Sequence, residues 1–180
     1  MQKVLKGDRT KTKLAATLKE LLNKKPLEKV RIHELTEQCD IHRQTFYYHF
    51  SDVYDLFTWC VRADTKKLSA FLEQFSTWQE IMNGFLMYIG RNRGYFKAIL
   101  EHASPSVKQE FFETAQTAVA EKLHDSIPAE MTAELPPFYL QSFSLMLRTM
   151  LEKWIQDDTY QSPAEIVSLL EKLLASTFPS

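Results

Sequence analysis

Arg43, Gln44, Thr45, Tyr47, Tyr48 and His49 stand within one short stretch, and each carries a side chain that can meet nucleic acid. A guanidinium pairs in a bidentate manner with guanine and a carboxamide with adenine, each pair contributing about 1–3 kcal/mol of discrimination. Arg43 and Gln44 are therefore the candidate base readers. Hydroxyl and imidazole groups bond phosphate oxygens, contacts that set register without reading sequence. Thr45, Tyr47, Tyr48 and His49 fit that second role. On a helix, Ile41, Phe46 and Phe50 would turn inward and leave these six outward. The plainer alternatives are a solvated helix face for Arg43 and Gln44, and packing against neighbouring helices for Tyr47 and Tyr48.

Catalytic chemistry finds less support. Cys39, His42, His49 and His33 are the available nucleophile, base or metal-ligand types. Cys39 falls on the apolar face of its own helix, and the spacing to His42 completes neither a closed zinc set nor an activated thiolate. No glycine-rich phosphate loop occurs. The expectation is a chain that is not an enzyme and needs neither metal nor cofactor.

Positioning the six side chains requires helices. Only four glycines occur in 180 residues, no segment shows sustained strand-like alternation, and apolar residues recur at helical spacing almost throughout. The expected fold is all-α with about nine helices: an N-terminal three-helix helix-turn-helix module and a C-terminal helical bundle. Leu14, Leu18, Leu21 and Leu22 form the first stripe; Ile32, Leu35 and Cys39 the second; Ile41 to His49 makes a third, short helix. Asp40 sits at the turn between the second and third, where a residue tolerant of left-handed geometry is useful. Ser51 or Asp52 can cap a fourth, long helix. Thr77 with Glu80, and Ser162 with Glu165, are capping boxes that open later helices, and Ser104 with Pro105 opens another.

The segment Cys39-Asp-Ile-His-Arg-Gln-Thr-Phe-Tyr-Tyr-His-Phe50, followed by Ser51-Asp-Val-Tyr-Asp-Leu56, resembles the TetR family pattern over about the first third of the chain. Within that family it looks closest to the dihydroxyacetone kinase operon activator-like subgroup. The resemblance implies a dimeric regulator that binds a palindromic operator in double-stranded DNA, with Tyr47 on backbone phosphate and Thr45 and His49 at further DNA-touching positions. It implies regulation of an operon, not kinase activity. Three residues depart from the pattern: Val53 stands where a phosphate-binding lysine is usual, Asp40 replaces the turn glycine, and His42 replaces a serine-like cap. The backbone N–H groups at Ser51 to Tyr54 are then the remaining phosphate donors there.

Charge divides along the chain. Met1 to Lys67 holds 14 Lys and Arg against 9 Asp and Glu, five positive, which leaves 8 against 14, six negative, for the rest. A basic front suits a polyanion, nucleic acid or anionic membrane, and an acidic remainder is repelled from it. Lys3, Lys6, Arg9, Lys11 and Lys13 form either a basic arm or a solvated face. Met1 to Arg9 lacks a secretory apolar stretch, and the uncharged run between Glu134 and Arg148 is too short to span a bilayer. No membrane span and a cytoplasmic location are expected, with Cys39 and Cys60 as small buried residues.

The expected division is a DNA-binding module over 1–57 and an effector-binding and dimerisation domain over 58–180. The last two helices, 138–156 and 163–176, carry apolar residues on more than one side, which suggests a homodimer interface. Trp78, Met82, Phe85, Tyr88, Phe111, Phe143, Met146 and Met150 are candidate linings for a small-molecule effector; equally, they fill the core. A second function class is a coregulator that acts mainly through a protein partner, with weak DNA binding of its own.

Overall fold

The computed structural model describes residues 6–126, 137–157 and 161–177. Among them are nine α-helices and no strand. They are α1 (Lys6–Leu22), α2 (Ile32–Gln38), α3 (Arg43–His49), α4 (Val53–Leu72), α5 (Trp78–Arg91), α6 (Arg93–His102), α7 (Pro105–Ser126), α8 (Pro137–Gln156) and α9 (Pro163–Thr177). A single 3-10 turn, Leu27–Lys29, joins α1 to α2. The all-α expectation holds. The sequence from Ile127 to Pro137, which reads as a loop, lies outside the described residues save for Pro137, and that residue opens α8.

The capping chemistry read from the sequence is in place. Thr77 Oγ1 accepts from the Glu80 N–H at 3.2 Å while Glu80 accepts from the Thr77 N–H at 3.3 Å. Ser162 and Glu165 repeat the exchange at 3.3 and 2.7 Å, and these hydrogen bonds hold the Glu165 carboxyl below its ordinary pKa. Each box satisfies N–H groups that a helix start would otherwise leave open.

The chain divides into two compact units: residues 1–65 with 92–108, and residues 66–91 with 109–180. Helices α4 and α7 each pass from one unit into the other. In the first unit, Leu14, Leu18, Leu35, Phe46, Phe57 and Tyr95 are fully buried. Helix α6 is therefore part of the packing around the helix-turn-helix. The contact is close: a Cβ added at Gly94 would lie 1.9 Å from the Leu22 carbonyl oxygen. The Gly94 N–H donates to Asn23 Oδ1 at 3.0 Å, which ties the start of α6 to the end of α1. Lys19 of α1 adds a half-buried ion pair to Asp64 of α4 at 2.7 Å and stands 4.9 Å from the Tyr95 ring centre.

In the second unit the core gathers around α5, α7 and the last two helices. Trp78, Met82, Phe85, Phe111, Leu151 and Ile155 are all buried there. No helix among the described residues is long and apolar enough to cross a membrane.

Gly94→Ala provides a test of sign. At an open helix position the exchange would stabilise by up to about 1 kcal/mol. Against the Leu22 carbonyl it should instead cost about 1–3 kcal/mol, read as a lower urea midpoint at unchanged slope.

Candidate nucleic-acid interface

The turn before α3 explains how so short a helix is aimed. Asp40 has φ +50°, left-handed backbone that few residues other than glycine tolerate. Its N–H donates to the Glu37 carbonyl at 3.1 Å, and the Ile41 N–H to the Thr36 carbonyl at 3.0 Å. This pair of bonds is the Schellman arrangement that closes a helix C-terminus. An aspartate thus does here the work expected of the family's glycine.

Helix α1 clamps the same turn. The Lys13 ammonium donates to the Cys39 carbonyl oxygen at 2.7 Å, placing a cation at the negative end of α2. Thr17 Oγ1 lies 3.3 Å from the buried Cys39 Sγ. Lys13 is consequently part of the scaffold rather than of a basic arm. At the other end of α2, Glu34 pairs with Lys25 and accepts from the Arg31 N–H at 2.9 Å, contacts that hold its carboxyl below its ordinary pKa.

Helix α3 starts at Arg43, not Ile41, because His42 is extended and serves as an N-cap with no side-chain hydrogen bond. It has 7 residues. Phe46 is fully buried and Phe50, its C-cap, is 4% exposed, so both anchor the helix from beneath. Arg43 and Gln44 are exposed, Thr45 and His49 half-buried, Tyr47 58% and Tyr48 84% exposed. Tyr48 stands against His49 at 4.9 Å between ring centres, and Tyr47 edge-on to Phe46 at 5.8 Å. The exposure of Tyr48 removes the packing alternative for it. Among the described residues, no carboxylate pairs with Arg43 and no hydrogen bond engages the Gln44 amide.

The start of α4 is acidic. Asp52 Oδ1 accepts from the Asp55 N–H at 2.8 Å, and Asp55 Oδ2 accepts from the Ser51 N–H at 3.0 Å and from the Ser51 hydroxyl at 3.2 Å. Val53 is 8% exposed. The N–H of Ser51, one of the candidate phosphate donors, is therefore occupied by a carboxylate, and the charges of Asp52 and Asp55 repel phosphate. The spacing of Asp52 and Asp55 around the cap carried this signal.

The candidate effector linings differ in burial. Trp78, Met82, Phe85 and Phe111 are buried core, Phe85 and Phe111 stacking with centres 6.4 Å apart. Tyr88 is half-buried with its ring centre 6.4 Å from that of Phe71, and the Phe143 side chain lies outside the described residues. Met146 and Met150 instead line a groove of about 510 Å³ between α8 and α9, with Lys153, Trp154, Asp157 and Leu169. Sequence periodicity marks such residues as apolar without telling a core from a cavity.

The thiols are poor nucleophiles by position. Burial pushes the Cys60 thiol up to about 12, outweighing the nearby Lys19 ammonium, and Cys39 is buried against Thr17. Among the described residues, no group of three His, Cys, Asp or Glu could hold a metal ion.

Residues 76–176 match a protein family described as the C-terminal region of transcriptional regulators. A regulator of the TerR/AcrR family from Aquifex aeolicus VF5 has a similar structure, with TM-score 0.65 and 19% identity over 94% of this chain and 99% of its own. The dihydroxyacetone kinase operon activator DhaS superposes with TM-score 0.64 and 18% identity, covering 93% of this chain and 95% of that one. A TetR-family regulator from Streptomyces coelicolor gives TM-score 0.71 and 13% identity over 94% and 80%. No curated protein matches the sequence.

The left-handed turn makes a measurable demand at position 40. Asp40→Val should lower thermal stability by about 1–2 kcal/mol, whereas Asp40→Gly should leave it equal or higher. Matched melting curves of the two variants check the difference.

Proposed function

The chain belongs to the TetR family of transcriptional regulators, and from that premise we propose that it binds a palindromic DNA operator as a homodimer in the cytoplasm. Helix α3 enters the major groove. Arg43 and Gln44 read base edges, Tyr47 bonds backbone phosphate, and Thr45, Tyr48 and His49 meet the groove walls. One observation carries this reading: the outer face of α3 presents exposed Arg43, Gln44, Tyr47 and Tyr48 on a helix anchored by buried Phe46.

The division of labour follows the chain. Residues 1–57 bind DNA, and 58–180 dimerise and take an effector. Exposed Leu145, Met146 and Leu169 on α8 and α9 favour the homodimer, since apolar area of this kind gains from cover by a second copy. A small effector acts by binding the DNA-competent and incompetent arrangements unequally, with α4, shared by both units, as connector. Binding, not catalysis, is the activity.

A second reading, a coregulator that relies on a protein partner, is favoured by the acidic start of α4. Asp52 and Asp55 there weaken the grip on phosphate that DNA binding alone would need.

Gel shift on an operator fragment tests the assignment. Arg43→Ala combined with Tyr47→Phe should weaken binding at least tenfold, as expected when a pair contributing about 1–3 kcal/mol and a phosphate contact are both lost. Unchanged binding by the double variant sinks the recognition-helix assignment. Binding by the wild type only in the presence of a second protein favours the coregulator.

A further inference from the structure

Lys11 is half-buried and held by aromatic rings. Its ammonium lies 5.8 Å from the ring centre of Phe50 and 5.8 Å from that of Trp59. The two rings themselves stand 5.8 Å apart at 63° and form a corner beneath the charge. Phe50 is the C-cap of α3, so the corner is built on the end of the helix assigned to the groove. Among the described residues no carboxylate pairs with Lys11.

Ring faces attract a cation through their quadrupole and restrict where it sits, but they do not neutralise it. A carboxylate partner would have cancelled the charge towards an outside anion. Lys13, two residues on, is bonded to the Cys39 carbonyl, and at the start of α4 the Ser51 N–H is taken by Asp55 while the charges of Asp52 and Asp55 disfavour phosphate. Lys11 thus remains as a positioned cation beside the end of α3.

We propose that Lys11, seated on Phe50 and Trp59, is a DNA-phosphate contact of this protein, supplying from α1 the grip that the start of α4 does not. The proposal rests on the DNA-binding reading given above. Its role is register and affinity, not base discrimination.

The test is a salt titration of the full-length chain on a mixed-sequence duplex, comparing wild type, Lys11→Gln and Lys11→Arg. One phosphate contact fewer lowers the slope of log K against log salt by about 0.9, so the wild-type advantage over Lys11→Gln should shrink about threefold between 50 and 200 mM salt. Lys11→Arg, which keeps both charge and stacking, should retain the wild-type slope. Melting curves of the three proteins establish that each is folded. An unchanged slope in Lys11→Gln, or a slope lost equally in Lys11→Arg, overturns the Lys11 assignment while leaving DNA binding intact. Absence of duplex binding by the wild type overturns the underlying reading as well.

Discussion

The aim of α3 depends on a clamp at its entrance. Seven residues cannot sustain a helix in water, because nucleation fixes several dihedrals for each bond gained. What holds α3 is external: the left-handed Asp40 turns the chain, Lys13 and Thr17 of α1 grip Cys39 just before it, and Phe46 is buried beneath. Remove the clamp and the outward side chains lose a common direction. The interface is thus a property of α1 as much as of α3.

Helix α1 is in turn held from behind. Gly94 lets α6 approach until its backbone meets Leu22, and Lys19 reaches Asp64 of α4. A chain of contacts therefore runs from α6 through α1 to the turn before α3. These contacts give α6 a packed route to the turn, and close-packed interiors transmit displacement well.

Features that depend on local pattern could be read from the sequence: both capping boxes, the turn at Asp40, the inward Phe46 and the outward Arg43 and Gln44. They are set by neighbours within four residues, which is the range over which helix periodicity and caps act. Features that depend on distant partners could not. Lys13 looked like a member of a basic arm, yet its ammonium is drawn to a carbonyl 26 positions away. Gly94 owes its role to Leu22, whose backbone it meets from 72 positions away. The stripe from Trp78 to Phe85 is apolar whether it fills a core or lines a cavity, and only the packing of α5 on its neighbours decides. The acidic start of α4 was visible as Asp52 and Asp55, but its cost to phosphate binding follows from which N–H groups those carboxylates occupy.

On the proposed DNA-binding reading, the described residues around α3 offer placed charge, Arg43 on the helix and Lys11 on its aromatic corner, with carboxylates close by. Sparse charge weakens nonspecific binding more than it weakens base readout. Unbiased selection of duplexes by the full-length protein at fixed salt tests this most directly. The expected result is an enriched palindrome with half-sites one helical turn, about 10–10.5 bp, or a multiple of it apart. A selected pool that stays at input composition, or a motif without twofold symmetry, contradicts a dimeric operator-binding protein.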